Sequence, residues 1–410
     1  MDIKTKKMSY DALVIGGGPA GMFAAITMKE HLERVAIIEK NDRMGKKLLL
    51  SGSGQCNFTH SGDINGFKGK YGDKGAFLKP AFRSFDNRAL LSFFEKRGIS
   101  FEERKDGKIF PRSGKASDIL SVLEKELRLL GVDIFCNEKV ARTVKTGSGF
   151  QVETKNLTCK SKLLVLATGG MSYPSTGSSG DGYGFAESLG HTILPLKPAL
   201  APVVCKNFGG GSLAGLSFEK VGLGLWRRGK KQKSFSGPLL YTHDGLSGPV
   251  ILNNSRYFEP GDILQINYLL GHDRASLEKK FVERASTSPP VKVKRYLREL
   301  GLSERFCNDR RSKSDIGEGL KVSELGKKER KLLAAFLTEE RFEIDKIKGF
   351  NIAMVTRGGV DTREINRKTM QSKMVEGLFF AGELLDIDGE SGGYNLQAAF
   401  STARLLENIF

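Results

Sequence analysis

The chain is poor in cysteine and never pairs it. Its five cysteines, Cys56, Cys136, Cys159, Cys205 and Cys307, form no C-x-x-C unit. That excludes a zinc ribbon and a thioredoxin-like dithiol, and an odd, scattered count suits a reducing compartment. Long apolar runs are missing too. None approaches the roughly 18 residues of a membrane span. The apolar run behind the basic N-terminus "MDIKTKK" is too short for a secretory signal. Together these absences point to a cytoplasmic protein. Internal repeats and low-complexity tracts are absent. No second G-x-G-x-x-G follows the one near the N-terminus.

What is present is a soluble, globular composition, 39% hydrophobic and 27% charged over 410 residues. That length suggests two or three domains. The 49 glycines cluster in short runs, which marks turns with a purpose. The net charge of +18 is compatible with nucleic acid, an anionic surface or acidic substrates. Because the charge is not gathered in one block, a solvated lysine-rich surface is the simpler reading. The densest basic run is Arg227, Arg228, Lys230, Lys231 and Lys233, at the expected tip of a hairpin. Its only interleaved aromatic is Trp226, so nucleic acid is not the expected partner.

Strand and helix signals alternate from "YDALVI" to about residue 190, which predicts an α/β domain. The texture then changes. Prolines at 195, 198 and 202 precede hairpin-like runs, and 271–347 reads as helical and charge-rich. The α/β texture returns at "FNIAMVTRGGV". The expectation is a domain made of 1–190 and 348–410. It is split by an insertion, 191–347, with a β-rich part to about 270 and a helical part after it.

Gly16-Gly17-Gly18-Pro19-Ala20-Gly21 fits G-x-G-x-x-G, with a strand before it, a helix after it and Glu39 ending the next strand. The first glycine permits the tight turn, the second lets backbone approach a pyrophosphate, and the third lets helix pack on strand. Unpaired N–H groups of the helix start then face the phosphates. A carboxylate at Glu39 accepts from both ribose hydroxyls and repels a 2′-phosphate. With one fingerprint only, a bound flavin dinucleotide is a better expectation than a two-nucleotide reductase.

The stretches "KKLLLSGSGQCNFTH", "YTHDGLSGPVIL", "VTRGGVDTREINRKTMQSK" and "GLFFAGELLDIDGESGGYNLQAAF" resemble the bacterial BaiN/YhiN-like flavoproteins. These are NAD(P)/FAD-dependent oxidoreductases of the glutathione-reductase-like superfamily. The resemblance covers nearly the whole chain. It implies a Rossmann-like FAD domain split by an insertion, with NAD(P)H as a transient electron donor. By the resemblance, Gly16, Gly18, Pro19, Ala20 and Gly21 hold the pyrophosphate, and Glu39, followed by Lys40, the adenosine ribose. Lys47, Ser51, Gly52, Gly54, Cys56 and Asn57 run along the cofactor, although Gln55 stands where arginine is usual. Val140 meets the adenine, and Ala167, Thr168 and Gly169 end a strand beside the dinucleotide. At the other end of the chain, Gly382, Glu383, Asp386, Gly392, Gly393, Tyr394, Asn395 and Leu396 serve the flavin half. A helix starting near Tyr394 would aim its positive end at the flavin.

The reaction class this implies is hydride transfer to or from a small organic substrate. Relatives have been linked to reduction of a steroid enone and to oxidation of small amines. His243 and Tyr394 are candidate proton donors, and Arg357 is a candidate for an anionic substrate group. A flavin-dependent RNA-modifying enzyme and a non-catalytic flavin-binding protein are the alternatives. Oligomeric state is not legible in the sequence.

Overall fold

The apolar run at residues 10–15 is the inner half of a longer strand, Lys6–Ile15, exposed where it begins and buried where it ends. A strand buried on both faces needs parallel neighbours with helices covering them. It pairs in parallel with Val35–Ile38 on one side and with Leu157–Leu166 on the other. The computed structural model describes residues 6–410, so the first five residues of the basic N-terminus lie outside it.

Asp133–Phe135 extends the sheet beyond Val35–Ile38, again in parallel. The strand Leu157–Leu166 is used twice along its length. Thr158–Ser161 pair antiparallel with Gly149–Glu153, and Leu164–Leu166 pair in parallel with Leu378–Phe380. The last strand of the chain therefore joins the sheet that the first strand began.

The opening helix, Pro19–Lys29, is buried from Ala20 to Met28. A helix that is apolar all round must be covered on all sides. Its Phe23 ring meets Phe85, Phe93 and Phe400 at centroid distances of 5.2, 5.0 and 5.3 Å. Phe400 belongs to the closing helix, Tyr394–Arg404. The two terminal units of the chain thus share one core.

The chain divides into two compact units, residues up to Ala199 with Gly349–Phe410, and Leu200–Lys348. The first unit extends past residue 190 because Ile193–Ala199 pairs antiparallel with Val355–Val360 within it. The second unit is a closed six-stranded barrel with a helical stretch inserted before its last strand. Its strands are Val203–Cys205, Gly245–Ser247, Lys230–Tyr241, Ser217–Arg227, Ile263–Asn267 and Glu340–Ile347. The sequence reading ran the helical part to 347. The helices in fact end with Lys327–Thr338, and Glu340–Ile347 closes the barrel. Phe342 and Ile344 alternate inward along that strand, a period of two hidden by the charges on its outer face. The fold is a Rossmann-like α/β domain with an insertion that is part β and part helical.

Candidate cofactor site

Each glycine of the opening turn has a distinct environment. Gly16 holds φ +109°, and a Cβ there would lie 2.5 Å from the Ala167 carbonyl oxygen. A Cβ on Gly21 would lie 1.8 Å from the Gly16 carbonyl oxygen, so helix and strand touch through bare backbone. A Cβ on Gly18 would meet nothing within 4 Å. Gly18 caps the helix with no side-chain hydrogen bond, and Pro19 follows at a position where its missing N–H costs nothing. The open backbone is therefore where a phosphate needs it.

Glu39 is buried at the end of Val35–Ile38. Its carboxylate accepts from the Gly17 N–H at 2.6 Å and from the Asn41 N–H and Nδ2 at 2.8 and 2.7 Å. Charge-assisted bonds of this kind fix the carboxylate against the turn. Lys40 turns instead to Asp181 at 2.8 Å and to Ser179. Val140 is buried nearby in sequence to Glu138, whose N–H bonds to the Glu39 carbonyl.

The segment after Gly45 winds tightly. Gly52, Ser53, Gly54 and Cys56 all hold positive φ, between 55° and 85°. Ser51 donates to the Leu48 carbonyl at 2.6 Å. Cys56 is fully buried, and burial pushes its thiol up to about 12, so it stays protonated and unreactive. Asn57 Oδ1 is sealed from solvent without a hydrogen-bond partner among the described residues. An acceptor in that state fits a ligand donor.

Thr168 follows Ala167 at the end of its strand, and its hydroxyl is turned to the helix Asp181–Ser188. A Cβ on Gly182 would lie 1.8 Å from it. Gly169 holds φ +73° and leaves that turn's backbone uncovered.

The closing segment meets the opening one at a defined point. Gly382 holds φ +74°, and a Cβ there would lie 2.7 Å from the Ala20 Cβ. Next to it, Glu383 accepts from the Thr356 N–H at 2.8 Å and the Ser172 hydroxyl at 3.0 Å, and pairs with Lys47 at 2.7 Å. Lys47 also donates to Ser172 at 2.6 Å. The sequence reading sets Lys47 along the cofactor and Glu383 at its flavin half. The structure joins them to each other, two partly buried charges that would each be costly alone. Asp386 pairs with Lys74 at 2.6 Å and accepts from the Gly358 N–H at 3.1 Å. Tyr183 OH lies buried without a hydrogen-bond partner, and burial, with Glu383 and Asp386 nearby, holds its phenol well above the ordinary value.

Gly392 and Gly393 lead into the closing helix, and Gly393 is its N-cap at φ +88°. A Cβ on Gly393 would stand 2.5 Å from the Thr59 backbone. Tyr394 stacks on His60 at 5.1 Å, and its phenol is pushed up to about 12, first by burial and then by Glu390. Asn395 accepts from the Gly389 N–H and donates to the Gly389 carbonyl, bracing the loop before the helix. Leu396 packs on the core.

His243 and Arg357 fall elsewhere. His243 lies on an exposed turn of the second unit beside Asp244, which pairs with Lys348 at 2.9 Å. Arg357 is exposed on Val355–Val360, opposite Lys197. Thr356, next to it, is buried, and its hydroxyl accepts from the Met171 and Ser172 N–H groups at 2.8 and 3.3 Å. Thr356, Ser172, Lys74 and Tyr183 were missed by the sequence reading. No local pattern in the sequence marks any of the four.

A glycine turn open only at Gly18, a carboxylate locked behind it and an orphaned acceptor at Asn57 fit a dinucleotide. The fold and site are those of a dinucleotide-binding Rossmann domain. The chain belongs to the HI0933-like protein Rossmann domain family, whose pattern matches residues 10–407. It is 32% identical to a ribosomal RNA dihydrouridine synthase of Escherichia coli over 404 residues, 96% of each chain. It is 31% identical to the protein of that name from Haemophilus influenzae, over 95% of this chain and 96% of the other. It is 30% identical to a 3-dehydro-bile acid delta(4,6)-reductase of Clostridium scindens, over 96% and 97% of the two chains. Among solved structures, a 3-ketosteroid-delta4-(5alpha)-dehydrogenase from Rhodococcus jostii shares the fold. Its TM-score is 0.55 at 15% identity, covering 99% of this chain and 97% of that one. No helix among the described residues is long and apolar enough to cross a membrane.

Proposed function

We propose that this chain reduces a carbon–carbon double bond conjugated to a carbonyl, and that its substrate is a uridine of ribosomal RNA. The observation that carries this reading is the end-to-end similarity to two ribosomal RNA dihydrouridine synthases. Saturating uridine adds a hydride at C6 and a proton at C5. The name of the third relative describes the same chemistry, saturation of double bonds conjugated to a 3-keto group. The reaction type is thus common to all three. The chain's +18 charge favours the polyanionic substrate, and more than half of that excess falls between residues 200 and 348. The sequence alone had favoured a small organic substrate.

FAD held there would supply the hydride, with NAD(P)H as the electron source in this reading. The backbone at Gly18, Ala20 and Gly21 binds the pyrophosphate, Glu39 orients the adenosine ribose and Asn57 accepts a ligand donor. The Lys47–Ser172–Glu383–Thr356 network holds the opening and closing segments in register. Tyr394, in the first turn of the closing helix with its ring stacked on His60, is the proton donor in this reading.

The test is direct. Purified FAD-loaded protein is incubated with ribosomal RNA lacking the modification and with NADH or NADPH, and the nucleosides are analysed by mass spectrometry. A uridine that gains two hydrogens supports the reading. Unchanged RNA, with a steroid enone reduced instead, would transfer the assignment to the second substrate class.

A further inference from the structure

We propose that the outer wall of the second unit's barrel binds single-stranded RNA, with Trp226 as a stacking platform for an unpaired base. The inference rests on the reading of RNA as substrate and names the face that meets it.

Alternation along Ser217–Arg227 buries Val221, Leu223 and Leu225 in the barrel and turns Gly222, Gly224 and Trp226 outward. In register beside them stand Gln265 on one strand, and Ser234 and Lys231 on the other. Arg341 lies opposite Gln265 on the next strand. None of these outward residues is buried, and Lys231, Ser234 and Arg341 are exposed.

The indole has a specific seat. A Cβ on Gly224 would stand 3.1 Å from Trp226 Nε1, so the ring's nitrogen edge leans over bare backbone. That nitrogen is shielded and has no hydrogen-bond partner among the described residues. The Arg341 guanidinium stands over the ring, 5.4 Å from its centroid. Gly222, Gly224, Ser234, Ile263 and Gln265 around it carry no charge, and two cations flank the ring. Aromatic faces beside basic groups are how single strands are held without sequence readout. Glu343, an outward acid on the strand of Arg341, is paired with Lys206. The hairpin tip has a different role at Arg227. Its guanidinium forks onto Asp262 at 2.7 and 2.8 Å and onto the Tyr257 carbonyl at 2.9 Å, which locks the hairpin.

Trp226 is the chain's single tryptophan, so its emission reports this one place. FAD-loaded full-length protein is titrated with a uridine-rich single-stranded RNA oligonucleotide, following tryptophan emission. Anisotropy of the same RNA, labelled, is measured in parallel. We expect quenching that tracks binding, and affinity lowered on the order of tenfold in the double variant Lys231→Ala/Arg341→Ala. Lys279→Ala, on the helix Arg274–Ala285, leaves affinity within about twofold. The melting temperature and flavin content of each variant check folding. RNA binding with unchanged emission, or with undiminished affinity in the double variant, would overturn the surface and leave the substrate reading standing. No RNA binding by the wild type even at low salt overturns both.

Discussion

Gly18 and Gly21 lie in the same turn and answer to opposite demands. Gly21 is glycine because a neighbouring carbonyl occupies the space of a side chain, whereas Gly18 faces open space, which the proposed FAD would fill. Two substitutions separate these causes. Gly21→Ala should cost the apoprotein about 3 kcal/mol in urea unfolding, since backbone must shift to admit the methyl. Gly18→Ala should leave apoprotein stability within about 0.5 kcal/mol and weaken FAD binding on the order of tenfold, read by flavin fluorescence. Equal stability losses would mean that the fingerprint serves the fold alone. The spacing of this turn was legible in the sequence because three constraints sit within six residues. The pairing of Lys47 with Glu383 was not, because it is written in two segments far apart that only the fold unites. Lys47→Met should destabilise by about 1–2 kcal/mol, and Lys47→Met with Glu383→Gln by less than the sum of the two single changes. A double-mutant cycle by denaturant unfolding measures the difference, and additivity would mean the pair is incidental.

Elements with one strong period were legible; those whose period is masked were not. Residues 10–15 and the opening helix announce themselves by nearly continuous apolar runs. Glu340–Ile347 carries only two inward apolar side chains below a charged outer face, so it read as more of the preceding helix. Another element-level tie was invisible. His191, between the helix Asp181–Ser188 and the strand Ile193–Ala199, is buried, with Nε2 2.8 Å from the Ser372 hydroxyl and its ring against Phe380. Burial lowers its pKa from the ordinary value near 6.5, against the opposing pull of Glu364. The unfolded chain then binds the proton more readily than the folded one. The histidine's contribution is complete above about pH 6.5 and is lost as pH falls from there through the folded value. Denaturant unfolding at pH 7.5 and 5.5 should show wild type losing more stability than His191→Gln across that interval. Parallel losses would remove His191 as the cause.

At the scale of the whole molecule, the insertion was legible as a change of texture, and its basic excess as a number without a location. What the structure adds is that each unit closes on itself at the junctions. In the first unit Ala199 pairs with Val355 across two strands. In the second, the Lys348 N–H bonds to the Pro202 carbonyl at 2.9 Å, and the barrel's first and last strands are neighbours. Each unit also has its own hydrophobic core. At about 150 residues the insertion is large enough to fold alone. Every residue assigned to FAD lies in the first unit, so excision makes a sharp prediction. Replacing 200–348 by a short glycine–serine linker should leave a yellow protein that binds FAD and no longer reduces RNA uridine. The excised 200–348 fragment should melt cooperatively, bind the RNA oligonucleotide and carry no flavin. Absorbance of the purified core, thermal unfolding of the fragment and RNA anisotropy on both decide the matter. A colourless core would mean that the insertion helps hold the cofactor, and a fragment inert to RNA would move the binding face to the FAD unit.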